Sequence, residues 1–347
     1  MSRILVINQG QTDNIGDQAI ESVLVNFLRG QGFEVAQAPY EERVEDRWSW
    51  SVDPKNIVPR IAMRIPRLMD HENRKRITNI LGSVGRIDAA VIGGGELLAS
   101  HWGFNSAFVS WVHALEETGI PVFVTGVSGD LIGGISSRRY GDALRTCEYV
   151  SVRDHATETQ LRQICGLRVD YAPDVVFSYA KVHPTQDSAS KRVQSMCVPV
   201  AYDTRRFRDL NLRDEDEYIG YLAKQFLVRK SGLPVTVTST IMGDKAYPEH
   251  VAEALSARYG IEAYARTGVD LADFVQALRH TDYIVSARMH ACILGLVYGC
   301  EINPIPYREK LAVFRNEYGT RESVEEVVEA SYAGLLRLAE ALSRRGV

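Results

Sequence analysis

Arg288 and His290 stand one residue apart where an apolar strand gives way to an apolar helix, in the stretch YIVSARMHACILGLVYG over residues 283–299. Residues 283–286 read as a short buried strand and 289–298 as a helix, with Ser286 as the expected N-cap. The first amides of such a helix lack intrahelical partners and carry the positive end of the macrodipole. Arg288 adds a permanent charge with a forked donor face, and His290 a group that ordinarily titrates near neutral pH. These types at this spacing suit a small phosphorylated or carboxylated ligand. The competing explanation is structural: Arg288 pairs with a carboxylate and His290 packs in a core.

Three further places carry candidate chemistry. Asp17 follows Asn14-Ile15-Gly16. It either caps a helix over about residues 17–30 or presents a carboxylate at the end of the first strand, where ligands bind in open α/β sheets. Gly93-Gly94-Gly95, then Glu96, follow a strand over 88–92; glycines there permit positive φ or close approach of backbone to a ligand. Arg153 stands between a strand over 149–152 and a helix opening at Asp154. It either meets a ligand or pairs with Asp154 or Asp174. Asp214-Glu215-Asp216 has the Asp-x-Asp form of metal-dependent glycosyltransferases, but it lies in the charged run 213–217 and reads as a solvated face. No group of residues has metal-ligand spacing.

The elements that must position these residues alternate strand and helix along the chain. The first strand enters at Arg3, and Ile4 to Ile7 are apolar throughout, as expected where helices cover both faces of a sheet. The strand–loop–helix–strand opening is that of a doubly wound fold. Its loop is not G-x-G-x-x-G, which weakens dinucleotide binding. The chain of 347 residues has room for two domains. Polar residues 182–192 read as the linker between an N-terminal domain, 1–181, and a C-terminal domain, 193–320, with a terminal helix over 321–347. Residues 60–76 are basic with interleaved apolar positions. They are either a solvated helical face or an amphipathic surface for a membrane or lipid-linked molecule.

Composition excludes several classes. Hydrophobic content of 45% and charged content of 24% belong to a globular chain. A net charge of −4 argues against a general nucleic-acid binder. The five cysteines show no CxxC and no paired framework, which fits reduced core thiols and a cytoplasmic setting. The N-terminus enters a strand at once, so no signal peptide is expected, and no apolar run nears the roughly 18 residues of a membrane span.

Ser286-x-Arg288-Met289-His290-Ala291 resembles the C-terminal signature of the polysaccharide pyruvyl transferases. Tyr307-Arg308-Glu309-Lys310-Leu311 resembles that family's following segment, with its lysine at Lys310. Asn14-Ile15-Gly16-Asp17 is similar to its Asn-x-Gly-Asp. Gly93-Gly94-Gly95 with Leu97-Leu98, Ser151-Val152-Arg153-Asp154 and Ala172-Pro173-Asp174 are similar to three further motifs in the same order. Glu96 stands where the family usually has another glycine.

The resemblance implies two Rossmann-like domains in a GT-B-like arrangement with a ligand cleft between them. It implies transfer of pyruvate from phosphoenolpyruvate to a sugar diol of a cell-surface polysaccharide or its lipid-linked precursor, with no cofactor. The C-terminal domain would then be the phosphoenolpyruvate side, with Arg288, His290, Lys310 and Arg153 as ligands. The N-terminal domain would be the acceptor side, with Asn14, Gly16, Asp17, Gly94, Gly95 and Glu96. The chemistry needs a general acid to protonate C3, cations for phosphate and carboxylate, and a base for the attacking hydroxyls. His290 fits the acid, with Lys310 and Glu96 as alternatives, and Asp17 fits the base. A cytoplasmic enzyme, at the inner membrane face where lipid-linked sugars are built, would follow. Homo-oligomerisation stays open. Two other readings compete: a GT-B glycosyltransferase using a nucleotide sugar, and a non-catalytic ligand-binding protein on the same fold.

Overall fold

A computed structural model describes residues 1–41, 66–99, 102–131, 133–184, 191–229, 232–319 and 324–347, the side chains of 66, 67, 102 and 103 aside. The chain divides into two compact α/β units. Unit 1 comprises Met1–Gln11, Ile20–Val175 and Glu329–Val347, and unit 2 comprises Thr12–Ala19 and Val176–Val328. The expected doubly wound, two-domain α/β class is what the structure has, but its boundaries run differently. Residues 12–19 count with unit 2, the linker region begins after unit 2 has already started, and most of the final helix returns to unit 1.

Unit 1 holds a six-stranded sheet in the order β2-β1-β3-β4-β5-β6, with all its neighbours parallel. The strands are β1 (Arg3–Asn8), β2 (Glu34–Pro39), β3 (Ala89–Leu98), β4 (Val122–Gly129), β5 (Tyr149–Val152) and β6 (Asp170–Tyr171). Ile4, Leu5, Val6 and Ile7 are fully buried, which explains the unbroken apolar run: helices cover both faces. Helix α1 (Ile15–Gly30) follows β1, and α2 (Pro66–Val84) packs on α3 (Trp102–Glu117). Helices α4 (Gly134–Arg145) and α5 (His155–Cys165) complete the winding.

Unit 2 holds a five-stranded parallel sheet in the order β11-β10-β7-β8-β9. Its strands are β7 (Gln194–Val198), β8 (Val235–Val237), β9 (Ala263–Ala265), β10 (Thr281–Ser286) and β11 (Glu301–Pro304). Its helices are α6 (Tyr179–Val182), α7 (Glu215–Arg229), α8 (Ala246–Tyr259), α9 (Leu271–Arg279), α10 (Met289–Val297) and α11 (Glu309–Tyr318); α12 (Glu325–Arg344) closes the chain. The chain winds one way from β7 to β8 and β9, and the other way to β10 and β11. The carboxyl ends of β7 and β10 therefore flank a topological switch point, the place where open α/β sheets bind ligands.

All five cysteines are free thiols. Burial pushes the Cys147, Cys292 and Cys300 thiols up to about 12. Among the described residues no helix is long and apolar enough to cross a membrane, and no group of three or more His, Cys, Asp or Glu could hold a metal ion. Residues Glu215 and Asp216 of the acidic run are ion-paired on the surface, with His250 and Arg258. Of the basic stretch 60–76, positions 60–65 lie outside the described residues. Within the described part, Arg76 donates to the carbonyls of Pro39 and Tyr40, and Arg74 pairs with Glu117.

Candidate active site

The site is built where β10 ends. Arg288, not Ser286, is the N-cap of α10, with extended backbone. Ser286 acts one step earlier: its hydroxyl accepts from the Arg288 amide at 2.9 Å and donates to the Arg288 carbonyl at 3.0 Å. This tight turn fixes the direction in which Arg288 leaves the strand. The Arg288 side chain offers no cap to the helix. Its Nε is buried and has no hydrogen-bond partner among the described residues. A buried cationic donor left unpaired is costly, and an anion would relieve that cost.

His290 occupies the second position of α10, and what it meets is the N-terminal motif. A Cβ built on Gly16 would stand 2.9 Å from His290 Cγ and would overlap its Nδ1. Only glycine lets the imidazole lie this close to the backbone at residue 16. The first turns of α1 and α10 thus converge within unit 2, and each brings the positive end of its helix dipole.

Residues 12–19 are pinned by the loop leaving β8. The Ile15 amide donates to the Thr240 carbonyl at 2.8 Å, the Met242 amide donates to Asp13 at 3.0 Å, and Asn14 pairs with Ile241. Asn14 is the cap of α1: its side-chain oxygen accepts from the Gly16 amide at 3.0 Å, and its carbonyl accepts from Gln18. The helix starts at Ile15, so Asp17 is not the cap. Its carboxylate instead accepts from the Asn14 amide group at 2.9 Å and from the Thr12 hydroxyl at 3.4 Å. Capping oxygen and orienting donor are two ends of one Asn14 side chain. Sequence reasoning missed the β8 exit. There the buried Thr238 and Thr240 hydroxyls have no hydrogen-bond partner among the described residues. The Thr-Ser-Thr run after an apolar strand was the available signal.

The family description of polysaccharide pyruvyl transferases matches residues 14–309, most of the chain. The chain belongs to that family. No curated protein matches it by sequence. Among solved structures, the transferase resembles UDP-GlcNAc 2-epimerase from Neisseria meningitidis bound to UDP-GlcNAc, at 10% identity over 98% of this chain and 93% of that one, with a TM-score of 0.53. It also resembles the S. aureus MnaA–UDP structure, at 12% identity over 96% and 87%, with a TM-score of 0.52. At these identities the likeness shows the fold alone, which is of GT-B type.

The transferase's remaining motif residues have other placements. Arg153, expected among the phosphoenolpyruvate ligands, is buried in unit 1, at 7% exposure, and paired at 2.7 Å with Asp174, at 6%. Its Nε donates to the Ser128 hydroxyl at 2.9 Å, and that hydroxyl donates to the Gly95 carbonyl at 3.5 Å. Ser151 accepts from the Gly126 amide at 3.2 Å. The Ser-x-Arg and Ala-Pro-Asp motifs are thus a clamp on the glycine-bearing strand ends, and Arg153 is not a free cation.

The three glycines are not a loop after a strand, because β3 continues through them to Leu98. Gly93 and Gly94 let α1 lie against the sheet: a Cβ on Gly93 would stand 2.7 Å from Leu24, and one on Gly94 would overlap Ile20. Gly94 and Gly95 have φ of 72° and 88°, the left-handed region where glycine is favoured. Both are buried, and Glu96 is exposed. Lys310 is exposed in the first turn of α11, beyond β11, the neighbour of β10. The expected acceptor residues Asn14, Gly16 and Asp17 therefore group with Arg288 and His290 in unit 2. Gly94 is a packing position of unit 1, and Gly95 is a buried residue of the same unit with positive φ.

Proposed function

We propose that this transferase moves the pyruvyl group of phosphoenolpyruvate onto two hydroxyls of a sugar, forming a ketal and releasing phosphate, and that unit 2 holds the donor. The observation that carries the reading is the buried Arg288 Nε, with no hydrogen-bond partner among the described residues, beside two converging helix N-termini. Phosphoenolpyruvate has a phosphate and a carboxylate, and such a site stabilises both through charge-assisted hydrogen bonds and oriented amides. Lys310 is the second cation, one strand over.

His290 is assigned as the general acid that protonates C3. Proton delivery to C3 leaves C2 electron-poor, and the first acceptor hydroxyl bonds to it. The hydroxyl's proton passes to Asp17, whose carboxylate is held by Asn14 and Thr12. The C2–O bond to phosphate then breaks, the leaving phosphate takes the proton held by Asp17, the second hydroxyl adds to C2, and its proton restores His290. The balance is one donor and one diol in, one ketal and one phosphate out. Proton transfer by placed side chains of this kind contributes roughly 10²–10⁴-fold. The acceptor is a sugar diol of a polysaccharide or its precursor, free, lipid-linked or polymeric.

The test is a thermal-shift comparison of phosphoenolpyruvate with UDP and UDP-GlcNAc, followed by phosphate release with an acceptor panel read by mass spectrometry. Stabilisation by phosphoenolpyruvate, and acceptor gaining one pyruvate ketal per phosphate, is expected. Stabilisation by the nucleotides alone would overturn the reading in favour of a nucleotide-sugar enzyme.

A further inference from the structure

A groove lies within unit 2, lined by none of Asp17, Arg288 and His290. It measures about 650 Å³, between α7 and α11, floored by the first halves of β10 and β11. Arg229 is spent in it: it pairs with Asp282 at 2.9 Å and with Glu301, and its guanidinium lies 4.6 Å over the Tyr283 ring. Lys224 and Arg315, which face the groove from α7 and α11, are exposed and have no ion pair among the described residues. With Arg229 against Glu301, the groove carries an excess of two positive charges in a chain whose net charge is −4.

Its polar floor is preset. The Asn303 side-chain amide donates to Gln225 and to the Tyr283 hydroxyl, each at 2.9 Å. No donor among the described residues reaches the Asn303 side-chain oxygen, so it can accept from a ligand hydroxyl. The half-buried Tyr221 supplies an apolar ring on the wall. A ring face, a fixed hydroxyl acceptor and two unpaired cations together match a polyhydroxylated ring compound that bears carboxylates.

We infer that this groove binds an acidic saccharide segment, holding a chain that already carries carboxylates while unit 2's other site works on a new diol. The inference rests on the pyruvyl-transfer reading, because ketal formation is what adds a carboxylate to each modified sugar. Its test is binding, not turnover, so the two can fail separately.

Trigalacturonate, galactotriose and tricarballylate are titrated by calorimetry into the full chain without phosphoenolpyruvate. The first has sugars and carboxylates, the second sugars only, the third carboxylates only. Trigalacturonate is expected to bind best, and Lys224→Ala/Arg315→Ala to weaken it by about tenfold, the sum of two solvent-exposed charge contacts. Asn303→Asp, which keeps the size and adds a repelling charge, is the second variant and weakens the same ligand. Equal binding of galactotriose would overturn the charge assignment, and equal binding of tricarballylate the saccharide assignment. Unchanged trigalacturonate affinity in both variants would remove the groove altogether. Phosphate release on a short neutral acceptor is unchanged in the double variant if the groove is separate from the reaction site.

Discussion

Two arginines hold equivalent places in the two units. Arg153 follows β5 and precedes α5; Arg288 follows β10 and precedes α10. Each stands at the carboxyl end of a parallel strand beside a helix N-terminus. Yet Arg153 is closed off by Asp174 and Ser128, whereas Arg288 keeps a buried Nε with no hydrogen-bond partner among the described residues. The glycines contrast in the same way. Gly94 is blocked by the aliphatic Ile20 and Gly16 by the polar imidazole of His290. Position in an α/β sheet makes a site available, and the partners left unmade decide whether it is used.

The largest effect should come from removing the reactive members of the unit 2 cluster. His290→Gln keeps a hydrogen-bond donor but delivers no proton, and Asp17→Asn keeps an acceptor for Asn14 but takes none up. Turnover in each should fall by roughly 10²–10⁴-fold with donor binding retained. Denaturant midpoints should stay near wild type. Steady-state phosphate release and a urea titration read both. Wild-type turnover in His290→Gln would move the acid to Lys310 or Glu96, and a stability loss without a turnover loss would make Asp17 structural.

The arginine pair separates stability from binding. Arg153→Met leaves Asp174 buried without its partner, and such breaks cost ~3–5 kcal/mol. Arg288→Lys keeps the charge but loses the forked donors, so phosphoenolpyruvate affinity should fall sharply while the fold holds. If Arg153→Met is stable and loses donor affinity, the contrast between the two arginines is wrong and the ligand reaches unit 1.

The glycine pair is expected to cost less. Gly16→Ala forces His290 to shift, at ~1–3 kcal/mol for an overpacked contact, and should lower turnover along with stability. Gly94→Ala, in a backbone region that disfavours alanine, should destabilise by at least as much and leave kcat of the folded fraction unchanged. Equal kcat loss in both would mean that Gly94 of unit 1 also serves the reaction.

Much of this was legible in the sequence because local chemistry carried it. The apolar run Ile4 to Ile7 of β1, the alternation of strand and helix, and Arg288 with His290 at a strand–helix junction follow from residue type and spacing. What was not legible depends on neighbours distant in sequence. Asn14 and Asp17 are both good caps, and only the contacts of Gly16 and Gln18 show that Asn14 is the one. Nothing local in residues 12–19 says that they group with unit 2, since their partners Thr240, Met242 and His290 lie more than two hundred residues on. Arg153 looked like a ligand because a buried partner 21 residues away cannot be told from a free surface by pattern alone. The basic stretch at 60–65 lies outside the described residues.

The smallest expected effect compares two caps. Asn14 caps α1 through the Gly16 amide, and Asp154 caps α5 through the Thr157 amide at 2.7 Å. Replacing either with alanine removes one oxygen that satisfies a helix-end donor, which costs ~1 kcal/mol. The two variants should therefore melt alike. They should not work alike. Asp154→Ala disturbs only the start of α5, in unit 1, where the strand ends are already tied together. Asn14→Ala also removes the side-chain amide that donates to Asp17 at 2.9 Å, a shorter bond than the 3.4 Å one from Thr12. A carboxylate that has lost its orienting donor is a poorer base, so kcat should fall several-fold in Asn14→Ala, in line with a lost charge-assisted bond of ~1.5–3 kcal/mol partly replaced by water. Asn14→Asp separates the two roles: it restores the capping oxygen but places a second carboxylate beside Asp17. Melting should recover while turnover stays low. If Asn14→Asp regains both, the side chain matters only as a cap, and Asp17 needs no orientation from it.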